Sequence, residues 1–138
     1  MYQRTGKAAY KADLSRIKAL CAHLENPEEK LICVHIAGTN GKGSTSHMLA
    51  SILQKAGYNV GLYTSPHLVD FRERVRINGK PIIKEKVIEF VEANKDAFEP
   101  IGASFFEWSV ALAFHHFDQQ KTDINVIEVG LDCTFIYF

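Results

Sequence analysis

Residues 31–53 read LICVHIAGTNGKGSTSHMLASIL, and the order of chemistries within them decides the fold. Leu31 to Ala37 is short, apolar and β-rich, the composition of a strand buried on both faces. Gly38 to Ser44, GTNGKGS, is a glycine-rich loop. Beyond it Met48, Leu49, Ile52, Leu53 and Ala56 fall on one face of a helix that Gly57 is placed to end. Phosphate oxygens need convergent N–H donors, a nearby cation and a helix N-terminus whose dipole favours negative charge. Gly38, Gly41 and Gly43 let the backbone turn its amides inward, with Thr39 and Asn40 between them, and Lys42 supplies the charge. Ser44 or Thr45 puts a hydroxyl at the helix start, within reach of a magnesium ion. The spacing departs from GxxxxGK[ST], because Gly43 separates Lys42 from Ser44. A helix-capping glycine turn with a solvated lysine is the competing reading; the flanking strand and amphipathic helix favour a nucleotide loop.

Outward from that unit the pattern repeats. Upstream, Leu14, Ile17, Leu20, Cys21 and Leu24 recur at helical spacing, with Asp13 as a cap and a stop near Glu25-Asn26-Pro27. Downstream, Val60 to Tyr63 reads as a strand and Thr64 to His67 (TSPH) as the loop leaving it. Asn78-Gly79 suits a hairpin turn between Val75-Arg76-Ile77 and Pro81-Ile82-Ile83. Lys84 to Lys95 reads as a helix with Val87, Ile88 and Val91 inward, and Phe105 to Phe117 as a more apolar one. Asp123 to Val129 is a third strand. Strands alternating with helices are the rhythm of a parallel α/β sheet.

Composition narrows the class. The chain has 138 residues, one domain at most, and its 46% hydrophobic content argues against disorder. Sixteen Lys plus Arg balance sixteen Asp plus Glu, so no overall charge points to nucleic acid or a membrane. Cys21, Cys33 and Cys133 form neither a CxxC pair nor a zinc-spaced cluster and read as reduced thiols. With no signal-like N-terminus and no apolar run of about 18 residues, the expectation is a soluble, cytoplasmic protein.

Three further features bear on chemistry. Ser65 and His67 sit at the carboxyl edge of a strand, where ligands of parallel sheets gather. A serine hydroxyl there could ligate magnesium, although TSPH taken alone reads first as a proline-shaped turn. Arg72, Arg74, Arg76 and Lys80 form a cationic run that is either a solvated face or a receiver for an anionic substrate. Glu128 closes an apolar strand downstream of the loop, the usual place for a magnesium-anchoring carboxylate; an acid ending a strand by chance is the competing reading, which the loop outweighs. Glu107, beside Trp108, reads either as a buried, hydrogen-bonded carboxylate or as an exposed one.

Together these segments resemble folylpolyglutamate synthase, within the Mur ligase group of ATP-dependent amide-forming enzymes. The resemblance rests on HIAGTNGKGSTSHMLASIL, GLYTSPHLVDFRERVRING, SFFEWSVALAFHHF and VIEVGL, and covers nearly the whole chain from about Asp13. It implies an α/β, three-layer parallel-sheet P-loop NTPase domain of the Mur ligase type, incomplete here. Residues 1–138 would be the N-terminal portion of that ATP-binding domain, with the C-terminal glutamate-binding domain absent. In the family, ATP phosphorylates the terminal carboxylate of folate, or of dihydropteroate in some bacterial members, and L-glutamate attacks the acyl phosphate. Carried over, Lys42 and the Gly38–Gly43 backbone would hold the β/γ-phosphates with Ser44 beside them. Ser65 and Glu128 would ligate Mg2+, and the segment from His67 to Arg76 would border the pterin. Where the family runs EVGLGGRLDATN, this chain reads EVGLDCTFIYF. The resulting expectation is a fragment, inactive alone, whose uncovered sheet edge and apolar face invite self-association, although full-length members are often monomeric. A stand-alone P-loop module that binds nucleotide without ligase activity is the alternative.

Overall fold

The computed structural model describes residues 14–129. Asp13, Cys133 and the sequence after Val129 lie outside the described residues. In chain order the elements are α1 (Ser15–His23), β1 (Cys33–Ile36), α2 (Lys42–Lys55), β2 (Val60–Tyr63) and β3 (Val75–Ile77). β4 (Lys80–Pro81), α3 (Lys84–Phe98), α4 (Phe105–Gln119) and β5 (Ile124–Glu128) complete them. Short 3-10 turns occupy Pro27–Lys30, Phe71–Arg74 and Glu99–Ile101.

The strands form one sheet in the order β1-β5-β2-β3-β4. β1, β5 and β2 run parallel, so the expected parallel rhythm describes this half of the sheet. β3 and β4 extend it antiparallel, joined through Asn78 and Gly79 at φ 51° and 79°. Positive φ at both central residues is the requirement of a twist-matched two-residue hairpin. At the start of β2, beside this turn, the amide of Val60 donates to Asn78 Oδ1 and the amide of Asn59 to the Asp123 carboxylate. These bonds tie the starts of β2 and β5 to the hairpin.

Side chains alternate across the sheet, so each strand serves two cores. Val60, Leu62 and Val126 meet Ala50 of α2 on one face. Tyr63, Val75 and Ile127 join Phe90, Phe98, Phe114 and Phe117 in the larger core under α1, α3 and α4. The result is three layers: α2, the sheet, and the remaining helices. Gly61 shows how closely the third layer approaches. A Cβ there would clash with Asn125 Oδ1 of β5 and lie 2.8 Å from the Phe117 ring, so the bare backbone is what lets the Asn125 side chain and α4 both seat on β2.

Three helix and strand readings are corrected. β1 is half-buried rather than buried on both faces, because it lies at the sheet edge and pairs only with β5 among the described residues. In α2 the inward stripe is Ser46, Leu49, Ala50 and Leu53, while Met48 and Ile52 are 60% and 65% exposed and Ala56 is also exposed. In α3 the inward stripe is Phe90, Asn94 and Phe98, with Val87 half-buried and Ile88 and Val91 exposed. In both helices, apolar residues outnumber the positions the sheet and neighbouring helices cover. Docking geometry therefore selects the stripe that periodicity alone leaves ambiguous.

Candidate phosphate and metal site

α2 begins immediately after the glycine loop. Gly41 is its N-cap residue, at φ 74° and ψ 10°, a left-handed conformation that a side chain would strain. As glycine it offers no side-chain oxygen to the first turn, and no acidic residue occupies that turn. The first loop-closing bond runs from the Thr45 amide to Gly41 O at 3.0 Å. The amides of Lys42, Gly43 and Ser44 are thus left as the open donors of a helix N-terminus, with the positive end of the dipole behind them. Helix N-termini built this way are where anions bind. Lys42 folds back over the loop, its Nζ donating to Gly38 O at 2.9 Å. Ser44 and Thr45 are exposed at the mouth, whereas Ser46 is buried and bonds Lys42 O at 2.7 Å.

Glu128 arrives from the end of β5. Its side chain projects to the α2 face, where a Cβ on Gly43 would lie 3.9 Å from Oε2. Glu128 is 7% exposed, and its hydrogen bond comes from the Ser65 amide at a long 3.4 Å. No salt bridge reaches Glu128 among the described residues. A buried carboxylate with up to four acceptor positions and no cationic partner is a costly arrangement unless a cation completes it. The chemistry fits a hard divalent ion: one carboxylate, with Ser44 and Ser65 on the loops beside it as further oxygen donors. The structure therefore brings the glycine loop, Ser65 and Glu128 to one end of the parallel strands.

Ser65 leads into a cis peptide with Pro66, and the following loop folds back on the 3-10 turn. The arginines of that region do not form one surface. Arg72 is neutralised by Asp70 in a fork, with Nη2 2.6 Å and Nε 3.0 Å from the Asp70 oxygens. Hydrogen bonds from Arg72 hold the Asp70 carboxyl down at about 2. Arg74 is buried, its Nε donating to His67 Nδ1 at 2.8 Å and its guanidinium lying 5.4 Å from the Phe105 ring centre. Arg76 projects to the α2 face beside His47 and Gln54, its Nε donating to Glu73 O. Only Arg74 and His67 stand together, on the α4 side. A continuous cationic strip from Arg72 to Arg76 is thus replaced by three separate environments, because alternation along β3 and the Asp70 fork disperse the charges.

Two carboxylates carry structural roles that the sequence reading left open, Glu107, or passed over, Glu73. Glu107 closes a capping box with Ser104: the Ser104 amide donates to Glu107 Oε2 at 2.7 Å, and the Glu107 amide to Ser104 Oγ. Arg16 of α1 adds Nε bonds at 3.2 and 3.3 Å, which makes Glu107 a buried, satisfied carboxylate. Glu73 closes a second box with Asp70. The S-x-x-E and D-x-x-E spacings make both legible in the sequence.

No family model matches the chain. The dihydrofolate synthase/folylpolyglutamate synthase of Bacillus subtilis is 40% identical over 136 residues, covering 94% of this chain and 32% of that protein. Folylpolyglutamate synthase from Thermotoga maritima superposes with a TM-score of 0.80 at 44% identity, over 86% of this chain and 30% of that one. E. coli FolC in complex with DHPP and ADP gives 0.79 at 36%, over 85% and 28%. The chain thus spans about a third or less of the length of these relatives. By sequence and by fold together, it is homologous to the N-terminal part of the folylpolyglutamate synthase family.

Proposed function

We propose that this chain is the nucleotide-phosphate end of an ATP-dependent ligase that joins L-glutamate to folate or dihydropteroate, releasing ADP and phosphate. The observation that carries the reading is the uncapped first turn of α2 facing the buried, cation-free carboxylate of Glu128. The likeness to proteins named for folate ligation, one of them solved with ADP and DHPP, supports the choice of reaction. The assigned region is the N-terminal portion of an ATP-binding domain, working in the cytoplasm, with glutamate held by a further domain.

In this reading the amides of Gly38 to Ser44 cradle the β/γ-phosphates, and Thr39, Asn40 and Thr45 line the loop. Lys42 Nζ leaves Gly38 O for the phosphate oxygens, adding a charge that helps a phosphoryl group in flight. Ser44, Ser65 and Glu128 would hold Mg2+, which supplies charge neutralisation across the phosphates. His67 with Arg74 borders the organic substrate; Arg72 and Arg76 act more remotely, as their partners hold them away. Every one of these groups positions or stabilises, which is what phosphoryl transfer asks of a protein.

Calorimetry of this chain with ADP and magnesium tests the proposal. Micromolar binding is expected, falling at least about tenfold in Lys42→Ala and in Glu128→Gln while both variants stay folded. Unchanged affinity in Lys42→Ala would sink the phosphate-loop assignment.

A further inference from the structure

The loop between β2 and the 3-10 turn carries Ser65 and His67, yet it has no apolar anchor. Leu68 and Val69 are 91% and 90% exposed, so burial does not order this segment. The Glu73 side chain ties residues 68–70 down. The carboxylate of Glu73 accepts three consecutive amides, from Leu68 at 3.1 Å, Val69 at 3.2 Å and Asp70 at 3.0 Å. Those amides pull its carboxyl below the ordinary range, Asp70 first and then Leu68. The same residue anchors the other end of the loop through its backbone. Thr64 Oγ1 donates to Glu73 O at 3.4 Å, and the Thr64 amide donates to the neighbouring Arg74 O at 3.0 Å. Ser65, Pro66 and His67 are therefore strung between two attachments to the 73–74 turn, and His67 gains a third contact from Arg74.

From this geometry we infer that Glu73 is a positioning residue for the metal-side loop, holding Ser65 against Glu128 without touching nucleotide itself. The inference rests on the phosphate-and-metal reading above. Its physical basis is that three charge-assisted bonds restrain residues 68–70, where the exposed side chains of Leu68 and Val69 supply no burial. Losing them returns exposed amides to water, which costs little stability but frees the loop to wander. Metal sites are sensitive to such supporting groups, whose loss typically weakens affinity by about 10- to 100-fold.

The test separates phosphate binding from its metal-dependent part. ADP affinity of the full chain is measured with magnesium and again in EDTA, for wild type, Glu73→Ala and Glu73→Gln. Amide exchange at residues 68–70 is followed in parallel. Wild type is expected to bind more tightly with magnesium. Glu73→Ala should lose about tenfold of that gain, keep its EDTA affinity, and exchange faster at residues 68–70. Glu73→Gln retains one acceptor oxygen for the Val69 and Asp70 amides and should recover part of the gain. A magnesium gain that survives intact in Glu73→Ala overturns this inference alone. A wild-type chain that binds no ADP removes the phosphate reading and this inference with it.

Discussion

On one face of the sheet α2 rests on a thin patch, with Ala50, Val60, Leu62 and Val126 as its buried apolar members. On the other, fifteen buried residues from three helices and the strands interlock, five aromatic rings among them. The thin face carries the open amides of α2, the Glu128 carboxylate and the exposed Ser44. The thick face carries none of the candidate phosphate ligands. The contrast divides the labour: cohesion comes from the helical layer behind the sheet, and the front layer is free to keep backbone donors unsatisfied. An anion site needs such donors, and each is a stability cost that the opposite core offsets.

The comparison can be broken most directly at Phe117, which is fully buried in the thick face. Phe117→Ala should cost about 3–5 kcal/mol in denaturant unfolding, by lost transfer energy and the cavity left behind. A loss no greater than that of a surface substitution would mean that the two faces share the load. A finer probe is Gly61, where a methyl would clash first with the buried Asn125 Oδ1 and then with the Phe117 ring at 2.8 Å. Gly61→Ala should destabilise by about 1–3 kcal/mol, as overpacking does, without altering the phosphate loop. The same melt would show no change only if both the Asn125 side chain and α4 could shift away from β2. The smallest effect belongs to the front layer: Met48→Gln and Ile52→Gln, at exposed positions of α2, should each stay within about 0.5 kcal/mol. A larger loss at either would place a covering partner over α2, and light scattering would then show association.

Much of this architecture was legible from residue order. The glycine loop between an apolar segment and an amphipathic one, the Asn78-Gly79 turn and the run of Val60 to Tyr63 all act through local geometry. Positive φ, capping and strand propensity need only neighbours along the chain. The faces of α2 and α3 were less legible. Met48 and Ile88 are as apolar as Leu49 and Val87, and only the docking of each helix tells them apart. The cationic run was the least legible, because Arg72 meets Asp70, Arg74 meets His67 and Arg76 crosses to the α2 face. Charge counts along a strand do not report which side of a sheet each charge occupies.

By itself the sequence determined that a glycine-rich loop opens α2 and that a carboxylate ends β5, since both follow from short-range pattern. Only the tertiary structure decided that Glu128 faces Gly43, that Glu73 grips three amides of the Ser65 loop, and that the arginines part company. The reason is distance along the chain. Glu128 and Ser65 are 63 residues apart, and only the parallel pairing of β5 with β2 brings them to hydrogen-bonding range.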